Sequence, residues 1–234
     1  MREDRAAEVQ AVVVTPAHQY PTGVVLAPGR REALIAWADR HDTTIIEDDY
    51  DAEFRYDRMP IGAMQGLCGQ RVVYAGTASK TLARGLRLGW LAVPARLVAH
   101  VAAAKKQADN GSSALDQLAL ADFIEHGELD RHLRRMRAIY RRRRDHLLQS
   151  LARHLPRVRP VGASAGLHVL AWLPSDVDEE RLIDAALAQG VRLDGIADAY
   201  LGPRSGSGII FGYGSIDEQR IAEGIATVES LPST

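Results

Sequence analysis

Val72-Val73-Tyr74-Ala75-Gly76-Thr77-Ala78-Ser79-Lys80 runs from an apolar stretch into small hydroxylated residues and ends on a single amine. Its apolar residues are consecutive rather than alternating, as in a strand covered on both faces of a sheet. Working outward, three more stretches read the same way: Val9-Gln10-Ala11-Val12-Val13-Val14, Thr43-Thr44-Ile45-Ile46 and Leu88-Gly89-Trp90-Leu91-Ala92-Val93, the last stopped by Pro94. Between the first two, Pro28 opens a segment in which Leu34, Ile35, Trp37 and Ala38 have helical spacing. A helix over 95–109 follows the last of them and breaks at Asn110-Gly111. Buried strands interleaved with helices predict a largely parallel α/β sheet.

The second half changes character. From 114 to 154 the pattern is helical, interrupted near Gly127, and Leu129, Leu133, Met136, Tyr140, Leu147 and Leu151 form the stripe of one long amphipathic helix. Pro156 and Pro160 end it. Strands at 166–173, 191–193 and 208–213, with helices at 178–189 and 217–230, describe a small α+β unit. The expected organisation is residues 1–128 as part of a large α/β layer, and residues 129–234 as a bridging helix and a small C-terminal domain.

Bulk properties narrow the class. The 234 residues, 46% apolar and 25% charged, suit a globular protein with a real core. A formal net charge of -1 gives no global attraction for nucleic acid or an anionic membrane. A lone Cys68 excludes an internal disulfide framework and fits a reducing compartment. No apolar stretch reaches the roughly 20 residues needed to span a bilayer, and no signal-peptide core precedes Val9. The cytoplasm is the expected compartment.

The chemistry gathers at strand ends. Open α/β sheets bind ligands outside the carboxyl ends of their strands, where Thr15, Asp48 and Thr77 all fall. In Glu47-Asp48-Asp49-Tyr50-Asp51, side chains two apart share a face, so Asp48 and Tyr50 point together and Asp49 points away. Taken alone, a solvated loop or a divalent-metal site is as good a reading of this acidic run as a cofactor role. A lysine after a neighbouring strand favours a cofactor. Lysine for a Schiff base, an aspartate for a pyridinium nitrogen, and hydroxyls with an arginine for a phosphate are the groups that hold pyridoxal phosphate (PLP). An arginine fork suits a phosphate because it bonds in bidentate fashion, and Arg84 and Arg87 follow Lys80. The plainer reading of Lys80 is an ordinary surface lysine.

Three segments carry a family resemblance. Val14-Thr15-Pro16-Ala17-His18-Gln19-Tyr20-Pro21-Thr22-Gly23, Ile45-Ile46-Glu47-Asp48-Asp49-Tyr50-Asp51-Ala52-Glu53-Phe54 and Gly76-Thr77-Ala78-Ser79-Lys80-Thr81-Leu82-Ala83-Arg84-Gly85-Leu86-Arg87-Leu88-Gly89 occur in this order. Together they resemble the aminotransferase-like domain of MocR-type regulators. These are bacterial transcription factors that join a winged-helix DNA-binding head to a fold-type I PLP domain. The resemblance runs over nearly the whole chain and implies a partial fold-type I large domain plus a small C-terminal α+β domain.

It further implies PLP held as an aldimine on Lys80, with Asp48 at the pyridinium nitrogen and Tyr50 at the phenolic oxygen. Thr77, Arg87 and Ser79 would then reach the phosphate, and His18 and Tyr20 would lie in the segment near the ring. A small amine or amino acid as effector, and a homodimer, follow from the same resemblance. The chain itself would touch neither membrane nor DNA, since the winged helix has no room ahead of Val9. The expectation is therefore an N-terminally truncated domain.

The alternative is a fragment of a class I/II aminotransferase, moving an amino group between an amino acid and a 2-oxo acid. Such enzymes grip the substrate carboxylate with an arginine on a late strand, but Gly208-Ile209-Ile210-Phe211-Gly212-Tyr213-Gly214 contains none; Arg192 and Arg204 lie nearby.

Arg131, Arg134, Arg135, Arg137, Arg141, Arg142, Arg143 and Arg144 crowd one helix. Its apolar stripe predicts that most of them line a solvated face rather than a nucleic-acid contact. His168, between Leu167 and Val169, reads as structural.

Overall fold

In the computed structural model of this protein, which describes residues 9–51, 53–56 and 62–231, the apolar stretches form two four-stranded sheets. Ala52 of the acidic segment and the residues ahead of Val9 lie outside the described residues. The chain divides into two compact units. The first comprises Met1–Gln19, Val25–Glu53 and Met59–Arg134, and the second Tyr20–Val24, Phe54–Arg58 and Arg135–Thr234.

The first unit carries β1 (Ala11–Val14), β2 (Thr44–Asp49), β3 (Val72–Thr77) and β4 (Gly89–Ala92), in that order across the sheet. β1, β2 and β3 are parallel, whereas β4 returns antiparallel to β3. The sheet is thus largely parallel, as expected, with one antiparallel strand at its β4 edge. The reason for that edge is connection length: the chain from Thr77 to Gly89 is too short for a parallel crossover, which needs about a dozen residues or more and usually a full helix.

One face of this sheet is packed. Ile45 and Val72 are buried with Ala38 of α1 (Pro28–Arg40) and Met64 of α2 (Met64–Leu67), and Val12, Val14, Leu34, Ile35 and Trp37 pack around them. Pro28 begins α1 where its missing N–H costs nothing. The four-residue α2 is too brief to leave a periodic signal in the sequence. The other face carries Val13, 65% exposed, and Leu91, 53% exposed, so the continuous apolar runs are not covered on both sides by the described residues. α3 (Ala95–Asp109) stops at Asn110 in the left-handed region, and α4 (Ala114–Glu125) starts from a Ser113 cap. α5 (Glu128–His154) follows Gly127, whose positive φ of 69° breaks the helical run where the sequence indicated.

The second unit holds β5 (Arg159–Val161), β6 (His168–Trp172), β7 (Asp194–Gly195) and β8 (Gly208–Gly212), ordered β5-β6-β8-β7 with antiparallel neighbours throughout. The short strand expected at 191–193 lies slightly later, at β7. β5 was not expected: Pro160 argues against a strand, yet β5 sits at the sheet edge, where proline is tolerated. Asp178 and Asp217 accept hydrogen bonds from the first-turn amides of Arg181 and Arg220, capping α6 (Glu179–Ala188) and α7 (Glu218–Glu229). Ala186, Leu193, Ile209 and Val228 form the core beneath those helices.

Candidate cofactor site

The register of β2 on β3 sorts the acidic run. Asp48 lies beside Ala75 and Glu47 beside Tyr74. Alternation therefore sets Glu47 and Asp49 on the packed face, and Asp48 and Tyr50 on the face that also carries Val13 and Leu91. Glu47 is buried and accepts hydrogen bonds from the backbone amides of Met64 and Gln65, at 2.9 and 3.0 Å, so its charge caps α2. Asp49 accepts the Tyr74 hydroxyl at 2.9 Å, and burial together with this carboxylate raises the Tyr74 pKa. Asp51 is buried against the His18 ring, Oδ2 to Nδ1 at 2.9 Å.

Asp48 is different. Among the described residues it makes no hydrogen bond or ion pair, and partial burial, aided by the charge of Asp51, pushes its carboxyl pKa up. A carboxylate in this condition gains from an adjacent cationic N–H.

The Lys80 turn is held from its own strand. The Thr77 hydroxyl donates to the Leu88 carbonyl at 3.2 Å and accepts from the Ser79 amide at 3.1 Å. The Ala78 amide donates to the same Leu88 carbonyl, and the Leu82 amide donates to Ala78, closing one helical turn around Lys80. Lys80 is half-buried and, like exposed Arg87, has no hydrogen-bond or ion-pair partner among the described residues. The same holds for the Ser79 hydroxyl. Arg87 adopts φ 52°, a left-handed conformation that only the tight return into β4 requires.

His18 and Tyr50 meet in the first unit. The Tyr50 hydroxyl donates to the His18 carbonyl at 2.9 Å, and the rings lie 6.3 Å apart. Buried Arg31 steadies this loop by donating to the Pro16 and Leu26 carbonyls. Sequence reasoning took Asp51 only as part of the acidic run and passed over Arg31; the partners of both are distant in the chain. Tyr20 belongs to the second unit, where its ring lies edge-on to that of His168 at 5.4 Å. The His168 Nε2–H donates to the Pro21 carbonyl, a structural role.

Comparison with known proteins supplies the family. The family model described as aminotransferase class I and II matches residues 2–202. The chain belongs to the class I and II aminotransferase family. It is 40% identical over 218 residues to the uncharacterized HTH-type transcriptional regulator YhdI of Bacillus subtilis (strain 168), covering 92% of this chain and 46% of that protein. It is 36% identical over 221 residues to the probable rhizopine catabolism regulatory protein MocR of Rhizobium meliloti, covering 94% and 45%. The chain thus spans about half the length of these relatives. The crystal structure of Pyrococcus horikoshii kynurenine aminotransferase, in complex with PMP and with KYN and KYA as substrates and products, superposes with a TM-score of 0.88 at 28% identity. That match covers 94% of this chain and 55% of the other.

The arginines of this family member divide by what they touch. Arg192 pairs with Asp194 and Arg204 with Glu180, both at the surface of the second unit. Along α5, Arg131, Arg134, Arg135, Arg141 and Arg142 are exposed, as the amphipathic pattern implied. Arg144 is not: it is buried, donates to the Ala163 carbonyl and to Asp145, and lies over the Tyr56 ring. Arg143 donates to the Gly214 carbonyl and Arg141 to that of Tyr56. Among the described residues, no helix is long and apolar enough to cross a membrane.

Proposed function

We propose that this chain is the PLP-binding, aminotransferase-like effector domain of a MocR-type transcriptional regulator, with the cofactor held covalently by Lys80. Asp48 faces the ring nitrogen and Tyr50 the phenolic oxygen. Arg87 and Ser79 serve the phosphate, and Thr77 joins them by turning its hydroxyl proton from the Leu88 carbonyl to a phosphate oxygen. His18, bonded through its carbonyl to Tyr50, completes the surroundings of the ring within the first unit. The observation that carries this reading is that Asp48, Lys80 and Arg87 have no hydrogen-bond or ion-pair partner among the described residues, in a chain of this family, while the neighbouring acids Glu47, Asp49 and Asp51 are bonded.

The donor set fits the group. PLP supplies an aldehyde that condenses with a primary amine, releasing one water, and a ring that takes up electron density when its nitrogen is protonated. Asp48, with its raised pKa, supplies the anionic partner that such a protonated nitrogen stabilises. Lys80 supplies the amine and a base able to hold or return a proton once freed. The exposed guanidinium of Arg87 suits a phosphate dianion.

In this reading a small amine or amino acid is the effector, the domain works as a homodimer in the cytoplasm, and DNA contact belongs to a winged helix outside this chain. An aminotransferase is the second reading, favoured by the likeness to the kynurenine enzyme. Against it, Gly208–Gly214 lacks an arginine, and Arg192 and Arg204 are paired with carboxylates. Release of a 2-oxo acid from added amino acids separates the two.

The test is a PLP titration of the full chain followed by visible absorbance. A saturable yellow band in the native chain that Lys80→Ala lacks is the expected result. Identical spectra for the two proteins overturn the assignment of Lys80.

A further inference from the structure

We propose that His132 is a positioning residue for Lys80, its imidazole N–H holding the Thr81 carbonyl and with it the turn that presents the amine. Lys80's chemical role rests on the reading above; the positioning rests on the geometry of the first unit alone.

The turn from Ala78 to Leu82 begins as a helix would, with the Leu82 amide bonded to the Ala78 carbonyl at 2.9 Å. A continuing helix would next offer the Thr81 carbonyl an amide four residues on. Ala83 prevents this by adopting φ -154°, ψ 137°, an extended conformation that turns the chain away. The Thr81 carbonyl is left without its helical donor on a residue only 5% exposed, where water is a poor substitute. His132, near the start of α5, fills the vacancy with Nε2 at 2.9 Å from the Thr81 oxygen.

A carbonyl only accepts, so Nε2 carries the proton in this contact, which selects one neutral tautomer or the imidazolium. Lys80 therefore sits between two anchors. On its N-terminal side the Ala78 and Thr77 bonds to Leu88 fix the end of β3. On its C-terminal side the anchor comes from a different element, 51 residues along the chain. An amine on a half-buried turn reaches a single place only if both ends of that turn are fixed. Without the imidazole donor, the buried carbonyl gains by turning toward solvent, and Lys80 turns with it.

The test compares His132→Leu, which removes the donor, with His132→Gln, whose amide N–H can reach the same carbonyl. In the PLP-free chain, hydrogen exchange of the Leu82 amide reports the turn directly. We expect about tenfold faster exchange in His132→Leu, with strand amides of β2 unchanged, and recovery in His132→Gln. With PLP, the concentration giving half the visible band should rise in His132→Leu and return in His132→Gln. Unchanged Leu82 exchange in His132→Leu overturns the inference. So does uniform acceleration across the first unit, which marks general loss of stability, and so does failure of His132→Gln to recover. If His132→Leu does not fold, His132→Asn, too short to reach Thr81, takes its place under the same criteria. If the native chain forms no band, the cofactor reading fails while Leu82 exchange still decides the positioning.

Discussion

The two faces of β2 carry acids one residue apart and treat them oppositely. On the packed face, Glu47 is buried with its oxygens on two α2 amides, and Asp49 takes the Tyr74 hydroxyl. On the other face, which also carries exposed Val13 and Leu91, Asp48 has no partner among the described residues. A charge bonded to backbone amides is part of the fold. A half-buried charge without a partner disfavours the fold slightly and is available to a ligand. The distinction lies in geometry, since Glu47 and Asp48 are indistinguishable by composition.

This contrast can be broken most sharply at Glu47. Glu47→Ala leaves the buried Met64 amide unsatisfied and uncaps α2, so it should lower unfolding free energy by about 2–3 kcal/mol in urea denaturation. A loss below about 0.5 kcal/mol, typical of a neutral surface change, would place Glu47 with Asp48 and erase the difference between the faces.

Asp48→Asn should act in the other direction. With PLP, loss of the anionic partner should weaken cofactor retention by about tenfold, read as the shift in half-saturation. Without PLP, the substitution should raise the melting temperature modestly at neutral pH. The sign follows from linkage: the folded-state pKa of Asp48 is raised, so its ionised form is disfavoured in the folded chain. That penalty is absent below the ordinary carboxylate pKa and appears as pH rises through the raised value. The gain from asparagine should vanish in acid accordingly. A variant less stable at neutral pH would mean that Asp48 has a structural partner after all.

Much of this was legible in the sequence, and the exceptions share a cause. Apolar runs located β1 to β4, and spacing located Asp48 and Lys80 at neighbouring strand ends, because periodicity and order are local properties. The direction of β4 depends on how far a short loop can carry the chain. The strand at Pro160 depends on its lying at an edge. Burial of Arg144 depends on the Ala163 carbonyl and the Tyr56 ring being where its fork points. The Asp51–His18 and His132–Thr81 contacts join segments far apart in the chain, which no local pattern encodes.

The chain contains three lysines, Lys80, Lys105 and Lys106, and this makes the central claim directly measurable. Lys105 is paired with Asp109 on exposed α3, with Lys106 beside it. Borohydride reduction of the PLP-treated full chain, followed by peptide mass mapping, reports which amine the cofactor occupied. The account predicts one adduct per chain, on Lys80. Adducts spread evenly over all three lysines, or confined to Lys105 and Lys106, would contradict it.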